Sequence, residues 1–282
     1  MKFNLWRQYG ALNSKPVFDA FRFGAMALGH SCVDNTPSND CIDVIWSVLW
    51  HGRMGSNKAI WEKARKEGRP IVVLEVGGIQ RGETWKVGLN GINSAAFPYA
   101  TNNSKERAEQ LGLTLLPWRT QGDYILICAQ HDKSLQWQDM PNVSNWIIQT
   151  VDKIQQYSNK TIIIRPHPRC PLPDIEKEFK NVLRQTPQQL AGTYDSFDMN
   201  FKNIWATINW SSNPGIQSIV NGVPALVGPN SIAYNVAEHD LKNIENPSMP
   251  DRQQWLNDYA WTEFTIEEIS QGLPIKRLTD YL

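Results

Sequence analysis

Residues 161–174 read TIIIRPHPRCPLPD. Arg165, His167 and Arg169 within this stretch are of the types that grip phosphate. A guanidinium offers a planar fork of N–H donors, and an imidazole adds one more. Pro166 and Pro168 stiffen the backbone around the histidine by locking φ and restricting the residue before each of them. The same residues also suit a histidine packed in a proline-rich turn with its arginines in water. A second stretch, NWSSNPGIQSIVNGVPALVGPNS at 209–231, sets Ser211, Ser212, Asn213 and Gly215 where a strand gives way to a helix. The N–H groups of a first helical turn, the helix dipole and serine hydroxyls together attract an anion, and glycine admits close backbone approach. An ordinary serine N-cap has the same composition.

Phosphate-binding groups placed this way need strands behind them, and the flanking sequence has the pattern. Short apolar runs bounded by turn residues alternate with amphipathic segments, as in a parallel sheet covered by helices. In the first half, 43–50 (DVIWSVLW) and 70–76 (PIVVLEV) read as strands. Helices are expected over 18–29 and 56–68, each stopped by a glycine. In the second half, 123–130, 160–168, 203–210 and 223–228 read as strands, and 142–158, 174–185 and 215–222 as helices. The expected architecture is α/β, with two Rossmann-like doubly wound domains facing a cleft, residues 1–117 and 118–262. A final helix within 263–282 is expected to pack back over their junction.

Composition narrows the functional classes. The 282 residues are 41% hydrophobic and 20% charged, which is enough apolar material for real cores. Basic and acidic residues balance at 28 each, which argues against coating nucleic acid by charge alone and leaves room for a local basic cleft. Cys32, Cys41, Cys128 and Cys170 show no CxxC spacing and read as reduced thiols. The opening MKFNLWRQYG lacks an apolar leader, and no run approaches about 18 apolar residues. A soluble cytoplasmic protein without a membrane partner is therefore expected. Most of the twelve tryptophans are expected in the core, and any at a cleft are suited to stacking on bases or sugars.

The order of the pieces carries a resemblance. A strand ending in RPHP, then a strand, SS-x-x-G, a helix, GVP and a strand, resembles the nucleotide-binding half of GT-B glycosyltransferases. The likeness is above all to capsule-polysaccharide Kdo transferases and to a group of phage-encoded glycosyltransferase-like proteins. ICAQHDKSLQ (127–136) resembles their domain-opening strand and its Q-x-x-x-D/S turn, which brings in Gln130. Residues 68–98 resemble the phage group's E-x-G-x…GLNG-x-N segment, and WTEFTIEEISQG (261–272) its closing helix. The resemblance implies a UDP- or CMP-linked sugar along the second domain, with His167, Arg165, Ser211 and Ser212 near its phosphates. It implies no required cofactor, and the lack of a DxD cluster agrees with metal independence. Gln217 stands where such proteins carry a glutamate for the ribose hydroxyls, and an amide can still hydrogen-bond ribose.

A transferase also needs a group that takes the acceptor's proton. Glu75, at the end of PIVVLEV and just before two glycines, is the leading candidate, with Asp34 and Asp40 of HSCVDNTPSNDC as competitors. Glu75 is equally suited to an ion pair with Arg81 or Arg53. Asn90 and Asn93 of GLNGIN could hold acceptor or donor sugar, or serve only as turn residues. The phage likeness makes a 5-hydroxymethylpyrimidine in DNA the first expected acceptor, in a host cytoplasm. Arg53, Lys58, Lys63, Arg65, Lys66 and Arg69 would present the basic face such DNA needs, although a solvated helix surface carries the same charges. The competing readings are a transferase of surface polysaccharide, a non-catalytic nucleotide-sugar-binding protein, and an epimerase of the same fold.

Overall fold

The computed structural model describes residues 1–193 and 196–282. Its strands, in chain order, are β1 (Lys2–Leu5), β2 (Ser31–Asp34), β3 (Ile42–Trp46), β4 (Ile71–Val76), β5 (Thr84–Leu89), β6 (Tyr124–Cys128), β7 (Thr161–Arg165), β8 (Val182–Arg184), β9 (Ile204–Ile208), β10 (Ala225–Leu226) and β11 (Glu263–Thr265). The α-helices are α1 (Lys15–Ala27), α2 (Asn57–Lys66), α3 (Glu106–Gln110), α4 (Val143–Gln155), α5 (Asn213–Val220), α6 (Gln253–Tyr259), α7 (Ile266–Ser270) and α8 (Leu273–Leu278). Contacts divide the chain into two compact units, Met1–Leu111 with Asn257–Leu282, and Gly112–Leu256.

The second unit holds a sheet ordered β10-β9-β6-β7-β8, with every pairing parallel. Its strands are apolar on both faces because helices cover both. Ile162 and Ile164 of β7 enter one cluster with Ile125, Ile127, Ile147 and Val151, while Ile163 packs on the other face with Leu126 and Val223. That is the period-two alternation of a strand buried on both sides. One expected helix is absent. Residues 174–185 form a short 3₁₀ turn, Ile175–Glu178, and then strand β8. The KEFK charges suit a helix, but Val182 is needed beside Ile162 to extend the sheet, and tertiary pairing overrides local propensity.

The first unit holds a sheet ordered β11-β5-β4-β3-β1-β2. Strands β1 to β4 pair in parallel, and β5 and β11 add antiparallel edges. Phe3, Phe18, Phe21, Trp46, Leu74 and Phe264 fill its core. The tail is not one helix: Glu263–Thr265 pairs with β5 before α7 and α8. Two parallel-strand α/β sheets agree with the Rossmann-like organisation read from the sequence. No helix among the described residues is long and apolar enough to cross a membrane.

Candidate ligand site at the strand ends

In the second unit the chain runs from β6 to β7 and β8 on one side, then crosses to β9 and β10 on the other. The carboxyl ends of β6 and β9 therefore flank the point where strand order reverses, which is where open α/β sheets bind ligands. Gln130 follows β6 and Ser211 follows β9, and both are buried. Gln130 Oε1 accepts the Ser211 N–H at 3.2 Å and lies 3.1 Å from Ser211 Oγ. That hydroxyl is also 2.9 Å from Gln136 Oε1, while Gln130 Nε2 donates to Gln136 Oε1 at 3.2 Å. Gln130 and Ser211, 81 residues apart in the chain, thus join the two loops in one hydrogen-bonded network.

The RPHPRC segment is a tight turn after β7. Cys170 N–H donates to His167 O at 3.0 Å, closing it around Pro168 and Arg169. Arg169 N–H donates to His167 Nδ1 at 3.1 Å. With Nδ1 an acceptor, the proton of the neutral imidazole sits on Nε2 and makes that atom a donor. Arg169 is exposed on the turn. Arg165 departs from expectation: it is buried, with Nη1 on Gln185 Oε1 at 3.0 Å and Nη2 on Asp198 Oδ1 at 3.0 Å and on the Asp198 carbonyl. Asp198 in turn accepts Gln188 N–H at 2.8 Å. That backbone bond, then Arg165, holds the Asp198 carboxyl below the usual range although burial opposes it. Arg165 braces the loop behind the turn instead of reaching a phosphate.

Ser212 is the N-cap of α5, yet its hydroxyl makes no cap hydrogen bond. Asn209 Nδ2 holds it instead, at 2.9 Å, and also donates to Ser212 O at 2.7 Å. The first turn of α5 keeps its dipole and the Asn213 amide, since Pro214 lacks an N–H and the Gly215 N–H turns back to Ser212 O at 3.3 Å. Asn213 begins this turn, and Gln217 lies one turn further on, half-buried. Gly215 has a different reason from the one expected. A Cβ there would fall 2.3 Å from Asn209 Oδ1, so the glycine makes room for Asn209. Asn209, buried and central to this arrangement, escaped the sequence reading because an asparagine at a strand end carries no mark of its partners.

In the first unit the three candidate carboxylates are separated. Glu75 lies at the carboxyl end of β4; Asp34 ends β2, three strands away, or about 14 Å at the usual strand spacing. Asp34 accepts from Arg22 Nη2. Asp40 is exposed in the loop entering β3, at the amino edge, where a competing base would not be near Glu75. Glu75 Oε2 accepts from Ser47 Oγ at 2.5 Å and Oε1 from Val76 N–H at 2.8 Å, so both oxygens are oriented. Ser47, just past β3, has φ +63° and was not anticipated. Asn90 also departs from expectation. Its Oδ1 accepts Ile71 N–H at 3.1 Å, and its carbonyl accepts from Trp61 Nε1 at 2.9 Å. Antiparallel β5 has carried it to the amino end of β4, four residues or about 13 Å from Glu75. Asn93 begins the short turn beyond, Ser94–Ala96. Arg53 is exposed in the turn Gly52–Ser56, on the carboxyl side of β3.

Three of the six basic residues expected to face DNA, Lys58, Lys63 and Arg69, are paired with carboxylates. Lys58 lies 3.6 Å from Glu62, Lys63 lies 3.9 Å from Glu67, and Arg69 pairs with Glu67 at 2.9 Å and Asp43 at 3.1 Å. Behind the candidate site, burial pushes the Cys128 thiol up to about 12, which leaves it without thiolate character. Near His167 the rings of His131 and His167 meet edge to face at 5.2 Å. The donor atoms of His131, Asp132 and Cys170 lie within 4.8 Å of one another, a set able to ligate a metal.

Two α/β units, each with a sheet of parallel strands at its centre, define a fold class of paired Rossmann-like domains. Within it, the chain resembles Thermosulfurimonas dismutans KpsC, beta Kdo 2,7 transferase, with a TM-score of 0.55 and 13% identity over 98% of this chain and 100% of that one. The beta Kdo 2,4 transferase of the same KpsC gives 0.47 and 12%, over 92% and 89%. The expected likeness to Kdo transferases is thus met in the fold. No protein family matches the sequence, and no curated protein matches it either.

Proposed function

We propose that the chain is a glycosyltransferase that moves a sugar from a nucleotide donor to a hydroxyl of a saccharide. What carries this reading is the grouping at the β6–β9 switch point: the Gln130–Ser211 network, the His167 turn and the uncapped start of α5. His167 Nε2–H, the Asn213 amide and the α5 dipole are suited to the charge that develops on a departing phosphate. Ser211 and Ser212 add hydroxyls, and Gln217 is placed for the ribose. The donor is UDP- or CMP-linked. As the anomeric C–O bond breaks, its electron pair leaves with the phosphate, and the acceptor oxygen forms the new bond. The acceptor's proton passes to Glu75, whose carboxylate is pre-oriented by Ser47.

Saccharide is favoured over DNA because Lys58, Lys63 and Arg69, half of the basic residues that DNA would need, are paired with Glu62, Glu67 and Asp43. Phosphate contacts dominate affinity for DNA, and bases already neutralised contribute little to them. The test is a panel of UDP- and CMP-sugars incubated with oligosaccharide acceptors and with hydroxymethylated DNA, followed by mass spectrometry. A mass increase on saccharide alone supports the proposal, and one on DNA nucleosides moves the acceptor to DNA. Donor that binds without hydrolysis or transfer under any condition would leave a non-catalytic binder.

A further inference from the structure

We propose that His131, Asp132 and Cys170 form a binding site for a zinc-class divalent cation, beside the imidazole of His167. The inference rests on donor atoms, not on the glycosyl-transfer reading. His131 Nδ1 lies 3.1 Å from Asp132 Oδ1, and Cys170 Sγ lies 3.6 Å from the same oxygen. A tetrahedral ion with bonds of about 2.0–2.3 Å spaces its ligands by about 3.3–3.8 Å, so these separations are close to coordination edges. Nitrogen, oxygen and sulfur in one set select Zn²⁺ or Co²⁺ over Mg²⁺ and Ca²⁺, which take oxygen ligands.

The backbone holds two of the donors before any ion arrives. Lys133 N–H donates to His131 Nδ1 at 3.1 Å, and the β-turn after β7 fixes Cys170 through its bond to His167 O. His131 is buried directly after Gln130, while Asp132 is on the exposed side of the turn, 3.4 Å from Lys133 Nζ. A nitrogen acceptor, a carboxylate oxygen and a sulfur therefore converge with only a surface lysine to offset them. Coordination through Nδ1 puts the ion in place of the Lys133 amide; coordination through Nε2 moves the ring proton to Nδ1, which then donates and also gives up that amide. Three protein donors leave a position for water or an anionic oxygen. The missing DxD motif does not bear on this set, since that motif supplies oxygen ligands alone.

Metal-stripped full-length protein titrated with Co²⁺ tests the proposal. One equivalent should produce a thiolate-to-cobalt charge-transfer band that Zn²⁺ abolishes by displacement. Cys170→Ser should lose the band, and Cys32→Ser should keep it. Asp132→Asn, on an exposed turn, serves as the second variant. Its Zn²⁺ affinity in competition with a chromophoric chelator should fall by about 10–100-fold, the scale found even for groups that only support a ligand. No band in the parent protein, the same band in Cys170→Ser, or equal affinity in Asp132→Asn would each overturn the site. None of these readings depends on sugar transfer, so the outcome separates cleanly from that of the donor panel.

Discussion

Ser47 sits in a conformation that glycine would adopt more easily, at φ +63°, and its hydroxyl meets Glu75 at 2.5 Å. A non-glycine residue held in the left-handed region costs about 1–3 kcal/mol, and such strain concentrates at working sites. Ser47→Gly therefore separates the two roles of the residue. It should leave the melting temperature little changed, because the strain removed offsets the hydrogen bonds lost to Glu75 and from Leu49. Turnover should fall about 10-fold or more, the effect of losing one hydrogen bond to a charged group. Steady-state kinetics beside a thermal melt decides; a lower melt with full turnover would make Ser47 merely structural. Glu75→Gln should lower kcat by about 100-fold or more with little change in donor affinity, as for loss of a general base. His167 and Ser211 could be read from the sequence because proline, serine and glycine in fixed order mark strand ends. Ser47 could not, since nothing in WSVLW marks a left-handed serine. Arg165 and Gly215 were legible as positions but their partners were not, because Asp198 lies far along the chain and Asn209, in the same stretch as Gly215, carries no mark of the contact.

Strands β1, β2, β5, β8 and β11 were missed for a common reason: each lacks the unbroken apolar run that marks β3, β4, β6, β7 and β9, and becomes a strand only by pairing. β5 decides the most, because an unrecognised antiparallel return places Asn90 at the wrong edge of β4. β11 delivers Glu263, buried, into the loop after Glu75. Its carboxylate accepts from Gly78 N–H at 2.7 Å, Ile79 N–H at 2.9 Å, Thr84 Oγ1 at 2.7 Å and Lys86 Nζ at 2.7 Å. A Cβ on Gly77 would stand 2.2 Å from Thr84 O and 2.4 Å from Glu263 Oε2, which explains the glycine of the E-x-G segment. Burial works to raise the Glu263 carboxyl, but Lys86 and the two amides hold it below the usual range. A folded pKa below the unfolded value of about 4.3 gives stability that is complete above that value and lost as pH falls through the folded one. The first unit should accordingly lose stability in acid. In Glu263→Gln, which strands Lys86, that acid dependence should weaken while stability at neutral pH falls by about 3–5 kcal/mol. Urea unfolding at neutral and acid pH checks both, and an unaltered acid slope would mean that another carboxylate governs it.

Each unit has its own apolar core, and the chain builds them differently. The second is continuous, from Gly112 to Leu256, whereas the first is closed by residues from the far end of the sequence. Phe264, Ile269, Ile275 and Leu278 from that end are fully buried in the first core beside Phe3, Phe18 and Phe21. Fully burying such a side chain stabilises by about 1.5–3 kcal/mol, so losing four of them exceeds a large part of the roughly 5–15 kcal/mol that holds a domain together. Ending the chain after Leu256 removes β11 as well and bares the edge of β5. The truncated protein should therefore keep the second unit and lose the first. Hydrogen exchange read by mass spectrometry should find β6, β7 and β9 protected as in the full chain, with β1, β3 and β4 exchanging as unfolded chain. Nucleotide should still protect peptides around Gln130, His167 and Ser211, since those groups and the strands that carry them all lie within 112–256. Sugar transfer should be absent, because Glu75 has lost its support. Retained protection of β3 and β4 would mean that the tail is dispensable to the first core, and nucleotide protection that vanished with the tail would place part of the donor site outside the second unit.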